Sequence, residues 1–207
     1  MANGNTQQNI SDIKKELRAN MNGVASAAMR QTDDYRVNWG IELPRVHAIA
    51  SEFEPSRELA QALWNESVRE CKILATMLMP KDEFIEELCD IWVENIRTDE
   101  IAQIFCINLV QHMPYASTKA FEWIATRTEG EESTSTQHIA KDQRENCGYL
   151  TLCHLLRRSE LNERSAEEFL DQASSALNNR YAVKALQCFA SQSEENEKKV
   201  KKIADYL

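Results

Sequence analysis

The sequence predicts an all-α protein, an α-α superhelix in which HEAT-like helical hairpins stack in series. Apolar residues recur at spacings of three and four along almost the whole chain. Only five glycines and four prolines occur among 207 residues, so turn residues for a sheet are scarce. No segment shows the polar–apolar alternation of a strand, and strands do not alternate with helices. A single domain over residues 1–207 is therefore expected.

The first part of the chain predicts short helices. Residues 1–9 are polar and are expected to be disordered. The next residues form a short amphipathic helix whose apolar face holds Ile10, Ile13 and Leu17. A second helix is expected near residues 24–29, and Pro44 suits the first turn of a third.

Residues Leu59–Leu78 organise the rest of the chain. They predict two helices with a break at Asn65-Glu66, and Ser56 is a suitable N-cap for the first. The second helix has one apolar stripe, which consists of Val68, Cys71, Leu74, Ala75 and Leu78. Such a helix needs neighbours on both sides to bury its stripe, and the chain supplies them in series.

The next two predicted helices differ in character. Residues 82–96 form a helix with one apolar face, which includes Ile85 and Ile91, and one acidic face. Thr98 is a suitable N-cap for the following helix, which is apolar on nearly all sides and is expected to be buried.

The second half of the chain continues the pattern after one acidic, Ser/Thr-rich stretch. That stretch, Thr128–Gln137, predicts a mobile surface loop. Helices are expected at residues 117–126, 142–158, 165–177, 180–191 and 194–207. The hairpins begin near residues 67, 98, 142 and 180, at intervals typical of helical-repeat arrays.

Composition limits the function classes. The net charge of −9 and the pI near 5.1 disfavour nucleic-acid binding by overall charge, so any such binding needs a local basic surface. The six cysteines lack zinc-site spacing and predict buried, reduced thiols, so no metal and no cofactor are expected. The absence of a signal-like or membrane-spanning apolar run predicts a cytoplasmic protein.

The region from Gly40 to Leu78 resembles the DNA alkylation repair family, whose AlkD-like members are HEAT-repeat DNA glycosylases. The matching residues are Gly40-Ile41, Pro44, Ile49-Ala50, Leu59-Ala60, Leu63-Trp64, Arg69-Glu70 and Leu74-Ala75. The resemblance implies DNA repair, by excision of N3- and N7-alkylated purines on a concave basic surface. In such enzymes a carboxylate stabilises the charge that develops on the sugar.

The positions that correspond to the family's functional residues are substituted. By this resemblance Thr98 stands at the position of a Trp, and Ala102 stands at the position of the catalytic Asp. Asn146 replaces an Arg, with Arg144 just before it, and Cys188 replaces a Trp near the C-terminus. Loss of a positioned carboxylate costs roughly 10²–10⁴ in rate. Base excision is therefore expected to be weak or lost.

Basic residues at same-face helical spacings predict contacts to duplex DNA. The candidates are Arg69, Lys72, Arg144, Arg158, Arg180 and Lys184. Their helices are predicted to be the inner ones of successive hairpins. The side chains are therefore expected to line one concave surface suited to a phosphate backbone.

Two other readings fit the same sequence. These cations are ordinary solvated charges paired with glutamates if the chain is a protein-interaction scaffold that does not bind nucleic acid. Alternatively, the chain is an active glycosylase in which other residues have taken over the catalytic roles. The sequence leaves open whether the protein is an enzyme.

Overall fold

The computed structural model describes residues 2–32, 37–125 and 135–204, and these residues form helices and their connections. They contain twelve α-helices, two 3-10 helices and no strand. An isolated parallel bridge joins Val37 to Val68. The chain divides into two compact units, Met1–Leu109 and Val110–Leu207. Across the described part of the chain, no helix is long and apolar enough to cross a bilayer.

The helices have the following bounds. The first unit contains α1 (Ala2–Ala19), α2 (Gly23–Thr32), α3 (Leu43–Ala50), α4 (Arg57–Trp64), α5 (Arg69–Leu78), the 3-10 helix Lys81–Glu83, α6 (Glu86–Val93) and α7 (Asp99–Asn108). The second unit contains the 3-10 helix Val110–His112, α8 (Ala116–Ala125), α9 (Ser135–Arg157), α10 (Glu163–Ser174), α11 (Arg180–Ala190) and α12 (Glu194–Ala204).

The two predicted N-caps and the predicted break are confirmed. The side chain of Ser56 accepts a hydrogen bond from the backbone N–H of Leu59 at 3.2 Å, and α4 begins at the next residue after Ser56. Thr98 accepts from the backbone N–H of Ile101 at 3.4 Å at the start of α7. The break predicted at Asn65-Glu66 lies between the end of α4 and the start of α5.

Helix α1 begins at Ala2, which differs from the disordered residues 1–9 expected from the sequence. Ile13 and Leu17 are fully buried, and the Gln8 amide donates to the Asp12 carboxylate at 3.0 Å. These buried residues anchor the helix. Once one turn has formed, extension of the helix through polar residues costs little free energy. Of the loop predicted at Thr128–Gln137, residues 128–134 lie outside the described residues, and the last three are helical.

Helix α6 begins four residues later than predicted. A 3-10 helix follows Pro80, and Ile85 is the N-cap of α6. Ile85 therefore precedes the helix, and the buried side of α6 consists of Leu88, Cys89, Trp92 and Val93. Ile85 and Ile91, which were expected on the apolar face, are 44% and 57% exposed.

Equivalent helices of the first unit pack side by side in the same direction. Near the start of α5, Arg69 pairs with Glu100 of α7, a separation of 31 residues. Near the end of α5, Thr76 accepts a hydrogen bond from the Asn108 side chain, a separation of 32 residues. The nearly constant separation shows that α5 and α7 run parallel, one repeat apart.

The second unit repeats this arrangement in α9 and α11. The Asn179 amide donates to the Asn146 side chain, a separation of 33 residues. Further along, the Gln192 amide donates to the carbonyl of Leu156, a separation of 36 residues. These separations lie within the repeat interval expected from the sequence.

The segment before α3 lies against α5. The buried Glu70 carboxylate accepts from the backbone N–H groups of Trp39 and Ile41, at 3.1 and 3.2 Å. Gly40 between them has a φ of +68°, and a Cβ at this position would lie 2.4 Å from the carbonyl oxygen of Asn22. A glycine is therefore required where the chain passes between α2 and α5.

Candidate nucleic-acid interface

A cavity of about 280 Å³ opens in the first unit at the N-terminal ends of α5 and α7. It is named here the α5–α7 cavity. Its lining residues are Trp64, Asn65, Glu66, Ser67, Arg69, Lys72, Asn95, Arg97, Thr98 and Ile101. Because α5 and α7 run parallel, their N-termini lie at the same end. The partial positive charge of both helices is therefore directed to this region, an environment that favours anions.

Lys72 is held on the cavity wall by Trp64. Its ammonium donates to the carbonyl oxygen of Trp64 at 2.7 Å and lies 4.6 Å from the centroid of the Trp64 ring. The Trp64 ring stacks on Trp92, with centroids 4.3 Å apart and planes within 3°. The amine is thus ordered before any ligand arrives, which lowers the entropic cost of binding.

Burial lowers the pKa of Lys72, the nearby positive charge of Arg97 contributes to the shift, and the resulting pKa is about 8. Two cations thus lie close together at this cavity, where Glu66 is the acidic residue of the lining. An anion that entered the cavity would relieve this repulsion.

Arg97 was not among the residues predicted from the sequence. It is exposed, it lines the cavity, and its guanidinium donates to the carbonyl of Glu94 at 2.7 Å, at the end of α6. It lies in a connection rather than on a helix, so a search for same-face spacings misses it. Its position next to the N-cap Thr98 is the sequence signal that points to it.

Arg69 was predicted to contact DNA, but its side chain is only 2% exposed. The guanidinium donates to the Glu100 carboxylate at 2.7 Å, to the carbonyl of Ile41 at 2.9 Å and to Glu70 at 3.1 Å. Two carboxylates from neighbouring repeats therefore hold this cation. Arg69 thus links two repeats through buried and partly buried ion pairs. One of these ion pairs involves Glu100, which is one of the acidic residues near the family's catalytic position.

The residues at the family's functional positions lie in different settings. Thr98 lines the cavity while it caps α7, and Ala102 is fully buried. Asn146 bonds Asn179 at 3.0 Å, and Cys188 contacts Cys153. The side chain at position 102 thus lies in the protein core. Thr98, the N-cap of α7, and Ile101 in its first turn line the cavity instead.

The second unit contains three basic residues around His154, named here the α9–α11 basic cluster: Arg157, Arg158 and Lys184. All three are exposed. Burial lowers the pKa of His154, repulsion by the three cations contributes to the shift, and the resulting pKa is about 4. Arg158 also donates to the carbonyl of Gln111 and to the Glu160 carboxylate. The structure thus brings together two predicted residues, Arg158 and Lys184, and adds Arg157.

The remaining two predicted residues lie outside this cluster. Arg180 is the first residue of α11, and its guanidinium lies 4.8 Å from the Tyr181 ring centroid and donates to the Tyr181 hydroxyl. Arg144 is half-buried within α9. The sequence spacing placed both residues on one surface with the other candidates, and that shared surface stays a prediction.

Helices that run parallel across successive repeats define the class of helical-repeat proteins. This protein carries two basic features, the α5–α7 cavity and the α9–α11 basic cluster. The chain belongs to the DNA alkylation repair enzyme family, whose sequence profile matches residues 13–179. This match confirms the resemblance found from the residues between Gly40 and Leu78. No curated protein matches the chain.

A solved structure confirms the predicted HEAT-like, all-α fold. It is described as "a new family of proteins related to the HEAT-like repeat DNA glycosylases with affinity for branched DNA structures". The TM-score is 0.78 at 15% sequence identity, and the match covers 94% of this chain and 81% of that chain. At this level of identity the likeness shows the fold.

Proposed function

We propose that this protein binds DNA through its phosphates and excises alkylated bases weakly or not at all. The observation that carries the proposal is the α5–α7 cavity, in which Lys72 and Arg97 meet two helix N-termini. Phosphate contacts supply most non-specific DNA affinity, and a helix N-terminus with adjacent cations is a common phosphate site. The α9–α11 basic cluster supplies further contacts of this kind.

Family membership supports DNA as the ligand. The affinity for branched DNA that is stated for the similar structure makes a branched molecule the first ligand to test. The net charge of −9 repels DNA over longer distances but leaves the proposal open, because a few ordered cations determine the local contacts.

Weak or absent base excision follows from the residue at the family's catalytic position. Ala102 provides no carboxylate and is fully buried. The carboxylate of Glu100, two residues earlier, is paired with Arg69 at 2.7 Å. A carboxylate that stabilises charge on a sugar must face the ligand, and these two positions do not supply one.

The test is a binding titration with a labelled four-way junction and a linear duplex of the same length, across a salt series. We expect affinity to fall steeply with salt. Lys72→Gln and Arg97→Gln should each weaken binding several-fold and reduce the salt slope by about one unit. Lys81→Gln, an exposed lysine of the same unit, is the matched control and should change neither. Salt-independent or absent binding to both DNAs would refute the proposal.

The excision part is tested by release of N3- and N7-methylpurines from alkylated duplex DNA. We expect release near the uncatalysed level. Ala102→Asp should not restore it, because the new carboxylate would lie in the core rather than on the cavity wall. Vigorous release by the wild-type protein would refute this part of the proposal, and vigorous release by Ala102→Asp alone would show that a carboxylate at position 102 reaches the ligand.

A protein-interaction scaffold is the second candidate, and α6 favours it. Ile85 and Ile91 are 44% and 57% exposed beside the acidic residues of the same helix. Contiguous exposed apolar patches bordered by polar residues mark protein contacts, and these two isoleucines would contribute to such a patch. Association with a protein that persists at high salt, together with no DNA binding, would favour this reading.

A further inference from the structure

Two thiols from neighbouring repeats meet in the second unit. The Sγ atoms of Cys153 in α9 and Cys188 in α11 lie 2.7 Å apart, although the two residues are 35 positions apart in sequence. All six cysteines are thiols in the structure. A disulfide has an S–S bond of about 2.05 Å, so this pair needs only a small further approach.

The two thiols differ in access and surroundings. Cys153 is 3% exposed, whereas Cys188 is half-buried and within reach of a small molecule. The positive charge of Arg157 lies near both sulfur atoms. A nearby cation attracts an anionic reagent such as glutathione disulfide. Because Cys188 is the more accessible of the two thiols, it is the one arranged to react first.

We propose that Cys153 and Cys188 are a reversible redox pair that forms a disulfide by exchange with a low-molecular-weight disulfide such as glutathione disulfide. This inference does not depend on DNA binding. The bridge would join α9 to α11 next to Arg157 and Lys184 of the α9–α11 basic cluster.

The exchange takes place in two steps. The Cys188 thiolate attacks one sulfur of glutathione disulfide, and one glutathione thiolate leaves and takes up a proton. The Cys153 thiolate then attacks the Cys188 sulfur of the mixed disulfide and displaces the second glutathione. In total, the protein loses two electrons and two protons, and glutathione disulfide gains them to give two thiols.

The second step is the slower one. Burial raises the pKa of Cys153 to about 12, and the hydrogen bond with Cys188 contributes to the increase. A thiol of this kind is rarely a thiolate near neutral pH. The mixed disulfide on Cys188 should therefore be observed before the internal bridge.

The experiment exposes the full chain to a series of glutathione redox buffers, blocks the remaining thiols and maps them by mass spectrometry. We expect a loss of two hydrogens and a cross-linked Cys153–Cys188 peptide, reversed by excess glutathione. Cys153→Ser should retain one glutathione on Cys188, and Cys188→Ser should form neither product. Six unmodified thiols under the most oxidising buffer, or a bridge between other cysteines, would overturn the proposal.

Two further measurements separate a reactive pair from a packed one. Arg157→Gln should slow the first step several-fold, while Arg164→Gln, an exposed arginine of the same unit, should not. Because the bridge closes a long loop, oxidation should raise the melting temperature by roughly 5–10 °C in the wild type and not in either serine variant. Equal rates for both arginine variants would show that the charge of Arg157 has no part in the first step.

Discussion

Arg69 is the residue whose role changes most between sequence and structure. The same-face spacing with Lys72 predicted two ligand-binding cations, but a buried Glu70 and a Glu100 from the next repeat hold the guanidinium. Spacing identifies which residues share a helix face. It does not identify a partner 31 residues away, which depends on how repeats stack.

Replacement of Arg69 should therefore affect stability. Arg69→Met leaves the fully buried Glu70 without its cation, and we expect a loss of about 3 kcal/mol in the free energy of unfolding. Urea denaturation gives this value, and Lys72→Met is the control because Lys72 is half-buried and lines the cavity. A loss equal to that of the control would mean that Glu70 is stabilised by its backbone donors alone.

Lys72 should make DNA binding sensitive to pH. Its pKa is about 8 in the folded chain, compared with 10.5 for an ordinary lysine. DNA affinity should fall as pH rises from 7 to 9, because the ammonium loses its charge, and Lys72→Gln should fall less over the same range. For stability the sign is opposite. The unfolded chain keeps the proton between about pH 8 and 10.5, so this group's contribution to unfolding free energy rises with pH there.

At the scale of the secondary-structure element, the predicted helix starts are accurate where an N-cap residue directly precedes a segment with helical apolar spacing. The starts of α4 and α7 follow directly from Ser56 and Thr98, because a side-chain oxygen satisfies an N–H group at the helix start. The start of α6 was wrong because a 3-10 turn after Pro80 interrupts the helical phase. The spacing of apolar residues alone does not distinguish a 3-10 turn from the first turn of an α-helix.

The cap at Ser56 gives a measurable test of this local logic. Ser56→Ala removes the acceptor for the N–H of Leu59 and should lower the free energy of unfolding by about 1 kcal/mol. Ser56→Asp restores an acceptor and should recover most of the loss. Both values come from urea denaturation. If the alanine variant were as stable as the aspartate variant, water would be satisfying this N–H equally well.

At the scale of the whole chain, the predicted fold class is confirmed, whereas the residues of the candidate site could be predicted only in part. The fold follows from helix periodicity over many segments, so a local error does not change it. The site depends on long-range packing: Lys72 was predicted, Arg97 was missed, and Arg69 is buried. The repeats have little sequence similarity to one another, so the sequence does not show which positions of successive repeats are aligned. For this reason the structure is needed to identify the basic residues that lie close together.

The overall charge provides a test at this scale. Glu83 and Glu87 are exposed acidic residues near the start of α6, in a chain with a net charge of −9. The double variant Glu83→Gln/Glu87→Gln should strengthen DNA binding a few-fold at low salt and not at high salt, because it removes long-range repulsion. Titrations at two salt concentrations measure this effect. An equal gain at both would indicate a direct contact instead.

The stacked pair Trp64–Trp92 has an optical consequence. The two indole rings lie 4.3 Å apart, and the ammonium of Lys72 lies 4.6 Å from the centroid of one of them. The fluorescence of indole depends on the local electric field. A bound anion that neutralises this ammonium should therefore change the emission wavelength and the quantum yield of the tryptophan pair. The protein therefore carries an intrinsic reporter at the wall of its own cavity, and occupancy is readable without a label.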